Sequence, residues 1–275
     1  MQSLAGKLIN VKPLMPAAKF TLHHIMRALA DSHINNVVVL SYQCVRQLLT
    51  WKVMLLAVDG KLSIPNPLES LPVWSINAYT DAAGGSRESP GRGSGGVCGK
   101  DWFYYPWSPG INSGAARADG KKIARKLSAL ELVGPLILVA SLSNSFRLQP
   151  VRIYVDNAGS VCIWKKGYSN HCPLSSAIVR AIGCVCAGLG CRLEIKKITR
   201  CSKTGPILAD HLSKAQFSEF RRCAQHAGWA LNTEPLRIPP ALLAWLHSPS
   251  TDWDLGHRIL ADMAAEFPVL GYSVF

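Results

Sequence analysis

Two segments of this 275-residue chain close in the same way, on an aromatic residue, a spacer and an aspartate: Tyr79-Thr-Asp81 and Tyr154-Val-Asp156. Each follows residues that alternate as a β-strand does, so Tyr79 and Asp81 share one face while Ala78 and Thr80 take the other. In the second segment Val151, Ile153 and Val155 face one way, and Arg152, Tyr154 and Asp156 the other. A fold that satisfies both segments sets two strands side by side with a carboxylate at the end of each.

The remaining elements follow from periodicity and breakers. Leu4, Leu8, Phe20, Leu22, Ile25, Met26 and Leu29 recur at near-helical spacing, and Ser41 is placed to cap a further helix through Trp51. Pro65, Pro67 and Pro72 mark a connector, which puts a domain boundary near residue 70. Gly84 to Gly96 reads as a flexible basic loop, because its glycines disfavour both helix and strand. Val97 to Trp107 is rich in β-formers and predicts one or two antiparallel strands. A helix from Lys121 to about Ser141, the Asp156 strand, a helix over about 174–189 and a last strand over Cys191–Thr199 come next. Gly205-Pro206 launches another helix with Asp210 near its start, and two short helices near 241–247 and 255–267 form a C-terminal tail. The predicted architecture is α/β. It has a mixed five-stranded sheet with flanking helices over 71–225, a helical segment over 1–70 and a helical tail over 226–275.

Charge narrows the partner. Lys and Arg outnumber Asp and Glu by 30 to 17, a net charge of +13, which favours a polyanion and nucleic acid first. Lys121/Lys122, Lys165/Lys166 and Lys196/Lys197 with Arg200 are the clusters that would meet its phosphates. The nine cysteines form no regular framework, which fits a reducing, intracellular compartment and buried apolar thiols. The longest apolar run, Leu132 to Ala140, is too short for a bilayer span, which takes about 20 residues.

Against that basic background four acids stand out: Asp81, Glu131, Asp156 and Asp210. Glu131 lies inside the helical stripe Leu127, Leu130, Gly134 and Leu138, where a carboxylate needs a partner or a cation. Acids that converge repel one another unless divalent cations lie between them. All-oxygen ligands suit Mg²⁺, or Mn²⁺ in its place. Two such ions can drive an in-line phosphoryl displacement, so phosphodiester hydrolysis is the expected chemistry.

Tyr79-Thr-Asp81-Ala-Ala-Gly-Gly85, Leu127-Ser-Ala-Leu-Glu131-Leu, Tyr154-Val-Asp156-Asn-Ala-Gly-Ser160 and Ala209-Asp210-His-Leu-Ser-Lys214 resemble, in order, the four acidic blocks of the ribonuclease H domains of retroelement polymerases. The Ala-Asp-x-Leu-Ser ending is similar to retroelement members. Leu4-Ala-Gly-Lys7-Leu resembles the thumb or connection region of reverse transcriptases of the DIRS/Ngaro, tyrosine-recombinase type.

The resemblance implies a ribonuclease H-like fold in which Asp81, Glu131, Asp156 and Asp210 hold two Mg²⁺ ions and the RNA strand of an RNA/DNA hybrid is cut. Asn157 and Ser160 would contact the hybrid backbone; no Tyr-x-Asp-Asp motif occurs here, so reverse transcription is not implied for this chain by itself, and a reverse-transcriptase palm on another chain stays open as a partner. The loop Arg200–Pro206 lacks the histidine that many cellular members carry before the last acid, and His211 follows that acid instead. Two other readings stay open: an inactive nucleic-acid-binding module of this fold, and a nuclease or resolvase of the same superfamily acting on DNA.

Overall fold

The register of the two central strands explains the mirrored motifs. In the computed structural model, which describes residues 2–11, 22–35, 40–57, 74–84, 93–108, 120–198, 204–249 and 254–266, β1 (Ile76–Ala82) runs parallel to β4 (Pro150–Val155) with Tyr79 opposite Tyr154. The two tyrosine rings stack at 5.2 Å, and the aspartates two residues further on emerge level with each other. β2 (Gly93–Cys98) and β3 (Asp101–Pro106) add antiparallel on one side of β1, and β5 (Arg192–Lys197) adds parallel to β4 on the other. The result is the mixed five-stranded sheet in the order β3-β2-β1-β4-β5, three antiparallel strands followed by parallel ones.

β2 departs from expectation. Gly93 to Gly96 is not loop but the first four residues of a fully buried strand, and residues 85–92 lie outside the described residues. The reason is steric: a Cβ on Gly95 would come within 2.4 Å of the Leu212 Cβ, and one on Gly96 within 2.4 Å of the Phe103 ring. The glycines trade local strand preference for the close approach of a helix and an aromatic ring.

Helices cover both faces. On one lie α4 (Gly120–Ser141), α6 (Ala158–Lys166) and α7 (Pro173–Leu189), with a single turn, α5 (Ser143–Phe146), between α4 and β4. On the other, α8 (Thr204–Ser213) and α9 (Phe217–His226) bury Leu208, Leu212, Phe220 and Ala224 against Val97 and Trp102. α4 passes straight through Pro135, which removes the N–H that the Glu131 carbonyl would otherwise accept.

The C-terminal segment is woven into this core. Leu242, Trp245 and Leu246 of α10 (Pro240–His247) and Leu255, Ile259 and Met263 of α11 (Leu255–Glu266) belong to the main hydrophobic cluster. Between α9 and α10 the chain runs along the outer edge of β3. There the Asn232 N–H donates to the Lys100 carbonyl at 2.8 Å and the Leu236 N–H to that of Trp102 at 2.7 Å.

The first three helices, α1 (Gln2–Val11), α2 (His23–Asn35) and α3 (Tyr42–Ala57), have their own small core of Ala5, Leu8, Leu22, Ile25, Leu29, Cys44 and Trp51. Ser41 caps α3 as expected, accepting from the Cys44 N–H at 3.2 Å. Buried Gln47 of α3 accepts the otherwise unsatisfied N–H groups of His24 and Ile25 at the start of α2, at 2.9 and 3.2 Å. The His23 ring stacks on Tyr168, at the turn after α6, with centroids 4.0 Å apart. No helix among the described residues is long and apolar enough to cross a membrane.

Candidate metal centre

Three elements each deliver one acid to the same point. Asp81 leaves β1 buried at 6% exposure, Asp156 is the first residue beyond β4, and Glu131 projects from α4 at 3% exposure. One carboxylate oxygen from each lies within 4.8 Å of those of the other two. Glycine brings Glu131 close: α4 rests on β1 through Gly134, where a Cβ would lie 2.7 Å from the Thr80 Cβ.

A hydrogen-bonded clasp fixes α4 against the start of α6. Asn157 caps α6 by accepting from the Ser160 N–H at 3.1 Å and also from the Ser128 hydroxyl at 3.2 Å. The Ser160 hydroxyl donates to the Ser128 carbonyl at 3.0 Å. Ser128 stands one turn before Glu131 and Asn157 directly follows Asp156, so the clasp links the two acids through their neighbours. Gly159 leaves room for it, since a Cβ there would meet the Ser128 Oγ at 2.4 Å.

Two unit charges 4.8 Å apart repel by roughly 3 kcal/mol at an effective dielectric of about 20, and three carboxylates make three such pairs. A cation or protons must offset that cost. The donors are all hard oxygens with no histidine or cysteine among them, so they fit Mg²⁺ or Mn²⁺ and fit zinc poorly.

Asp210 stands beside this cluster rather than in it. It lines the same small cavity as Asp81 and Asp156, together with Tyr79, Thr80, Tyr154, Ile198 and Pro206. The expectation that it sits near a helix start is corrected: α8 begins at Thr204, and Asp210 falls in its second half, where the helix dipole no longer favours an anion. Lys214 compensates instead, with its Nζ 2.7 Å from Asp210 Oδ2. His211 turns toward α9, its Nδ1 2.9 Å from Gln216 Oε1 and its Nε2 3.7 Å from Cys223 Sγ.

The predicted nucleic-acid contacts divide. Lys196 and Lys197 are exposed at the end of β5, paired in register with Tyr154 and Val155, at the same sheet end as Asp156. Lys165 and Lys166 are exposed in the last turn of α6. Ser160 is corrected: it is fully buried with its hydroxyl committed to the Ser128 carbonyl, so it offers nothing to a ligand. Asn157 is half-buried, and its side-chain oxygen is engaged as the helix cap. Lys121 and Lys122 begin α4, but their side chains, like Arg200 as a whole, lie outside the described residues.

Sequence reasoning passed over Ser213. It is fully buried, and its hydroxyl donates to Asp81 Oδ2 at 2.5 Å. Its signal was its place three residues after Asp210, one helical turn away on the same face.

The fold and site define an α/β protein with a mixed five-stranded sheet and a buried carboxylate cluster at the ends of its central parallel strands. No protein-family model, curated protein or solved structure matches this chain significantly.

Proposed function

We propose that this chain is a divalent-metal-dependent endonuclease of the ribonuclease H-like type that hydrolyses the RNA strand of RNA/DNA hybrids. The observation that carries the reading is the convergence of Asp81, Glu131 and Asp156 within 4.8 Å from a strand, a helix and the next parallel strand. The sheet order and the four acidic sequence blocks support it.

Asp81, Glu131 and Asp156 would hold the metal, with Asp210 lining the same cavity beside Asp81 and Asp156. Bound there, divalent cations supply an activated water and neutralise charge on the leaving oxygen. The protein's own contribution is to hold the acids in place before substrate arrives. Gly134 and the Ser128–Asn157 clasp set Glu131 against Asp156. Lys196 and Lys197 on the neighbouring strand end give a phosphate backbone a cationic approach, and the net charge of +13 draws the polyanion in.

The test presents the purified chain with labelled RNA/DNA hybrid, double-stranded RNA and branched DNA in Mg²⁺. The hybrid is cut in its RNA strand, and Asp156→Asn lowers the rate by more than about 100-fold. Cleavage of branched DNA alone would reassign the chain to DNA processing. Wild type and Asp156→Asn equally inert on every substrate, yet both binding hybrid, would leave a binding module.

A further inference from the structure

Asp81 faces Gly95 directly across the β1–β2 pair. A side chain at Gly95 would collide with the chain at Leu212 and Ser213, its Cβ 2.4 Å from the Leu212 Cβ and 2.6 Å from the Ser213 nitrogen. The bare position lets the end of α8 settle onto the sheet beside Asp81, and what arrives there is a hydroxyl. Ser213 Oγ lies 2.5 Å from Asp81 Oδ2 and 3.0 Å from the carbonyl oxygen of Asp210.

A serine in a helix ordinarily donates back to a carbonyl three or four residues earlier. That partner is present, in the Asp210 carbonyl, but a hydroxyl has one proton and the Asp81 carboxyl oxygen is the nearer acceptor. The proton therefore goes to Asp81. The backbone of the same residue is held as well, since the Ser94 hydroxyl donates to the Asp81 carbonyl at 3.3 Å.

We propose that Ser213 is a positioning residue that fixes the rotamer of Asp81 for metal binding. Because Ser213 and Asp210 ride on one turn of α8, the same contact sets the first acid relative to the last. The inference rests on the metal-dependent reading above. It adds that metal affinity depends on a hydroxyl reaching Asp81 from a segment 132 residues away in sequence. Hydrogen-bonded partners of this kind are worth about 10- to 100-fold in metal affinity at other sites.

The test compares wild type, Ser213→Ala and Ser213→Thr by calorimetric titration with Mn²⁺ in the absence of nucleic acid, and by the Mg²⁺ midpoint of hybrid cleavage, with thermal unfolding of the metal-free chains alongside. Ser213→Ala weakens Mn²⁺ binding by about tenfold and moves the Mg²⁺ midpoint up by a similar factor, while the rate at saturating Mg²⁺ falls less. Ser213→Thr, which keeps the hydroxyl, stays within about threefold of wild type, well inside that tenfold loss. Wild-type affinity in Ser213→Ala overturns the role of Ser213 and leaves the metal site standing, and equal weakening in both variants overturns it in favour of packing. A wild type that binds no metal removes the metal site itself and this role with it.

Discussion

Lys214 reaches back one turn of helix to Asp210, its ammonium 2.7 Å from the carboxylate, so the acid that lines the cavity beside the buried cluster carries its own counter-ion. Both side chains are partly exposed, 41% and 25%, and a pair of this type contributes about 0.3–0.5 kcal/mol to stability. Its electrostatic effect on the cavity is the larger matter. Lys214→Ala is expected to leave the unfolding free energy within about 0.5 kcal/mol of wild type. It should also lower the Mg²⁺ midpoint by roughly 2- to 5-fold at low salt, because a competing cation is gone, and the difference should shrink as salt is raised. A Mg²⁺ titration of cleavage at two ionic strengths measures both.

Lys196 and Lys197 end β5 beside the strand that delivers Asp156. If they meet phosphates, replacing both with glutamine weakens duplex binding of every sequence alike and reduces the slope of log K against log salt by roughly 2. Fluorescence anisotropy over a salt series reads that slope. An unchanged slope would assign the two lysines to plain surface.

Gly134 tests how α4 is seated. In an exposed helix a glycine-to-alanine change gains about 1 kcal/mol, but here the added Cβ would lie 2.7 Å from the Thr80 Cβ. Gly134→Ala should therefore destabilise the chain by roughly 1–3 kcal/mol in urea unfolding, against the helix-propensity trend. The displaced helix also draws Glu131 from the cluster, so metal affinity falls with it.

Burial and the nearby charges of His23, Arg180 and Arg27 lower the His24 pKa from 6.5 to about 4. The folded chain keeps this imidazole neutral down to about pH 4, whereas the unfolded chain protonates it near 6.5, so the unfolded state binds more protons in that window. The stability that His24 contributes is complete above about pH 6.5 and is lost as pH falls toward 4. His23 is shifted in the same direction by burial. The denaturant midpoint should drop between pH 7.5 and pH 5, and His24→Gln should flatten part of that drop.

What could be read from the chain and what could not separate along a physical line. The paired strand ends were legible because alternation is local: Tyr79 and Asp81 must share a face whatever surrounds them, and so must Tyr154 and Asp156. Glu131 was legible because an acid in an apolar stripe calls for an explanation on the spot. β2 was not, since its glycines answer to Leu212 and Phe103, which reach them only in the folded chain. Ser160 was misread for a related reason. A serine at the start of a helix after a strand-end acid is a plausible ligand contact until Ser128 is known to lie against it. The core role of Leu242, Trp245 and Leu246 was hidden likewise, because an apolar helix does not announce the surface it will cover.

The segment from Asn232 to Leu236 gives that last point a practical side. β3 is the outermost strand, and the carbonyls of Lys100, just before it, and of Trp102 within it are occupied by N–H groups arriving from beyond α9. The Trp102 indole and the Asp101 carboxylate are engaged by Asn232 as well, at 2.7 and 2.6 Å. Remove everything after His226 and those carbonyls become a template that a second copy of the chain can extend. A chain shortened there keeps Asp81, Glu131, Asp156 and Asp210 but bares that edge together with the core surface that Leu242, Trp245 and Leu246 cover, and it is expected to sediment as a larger species than the full chain.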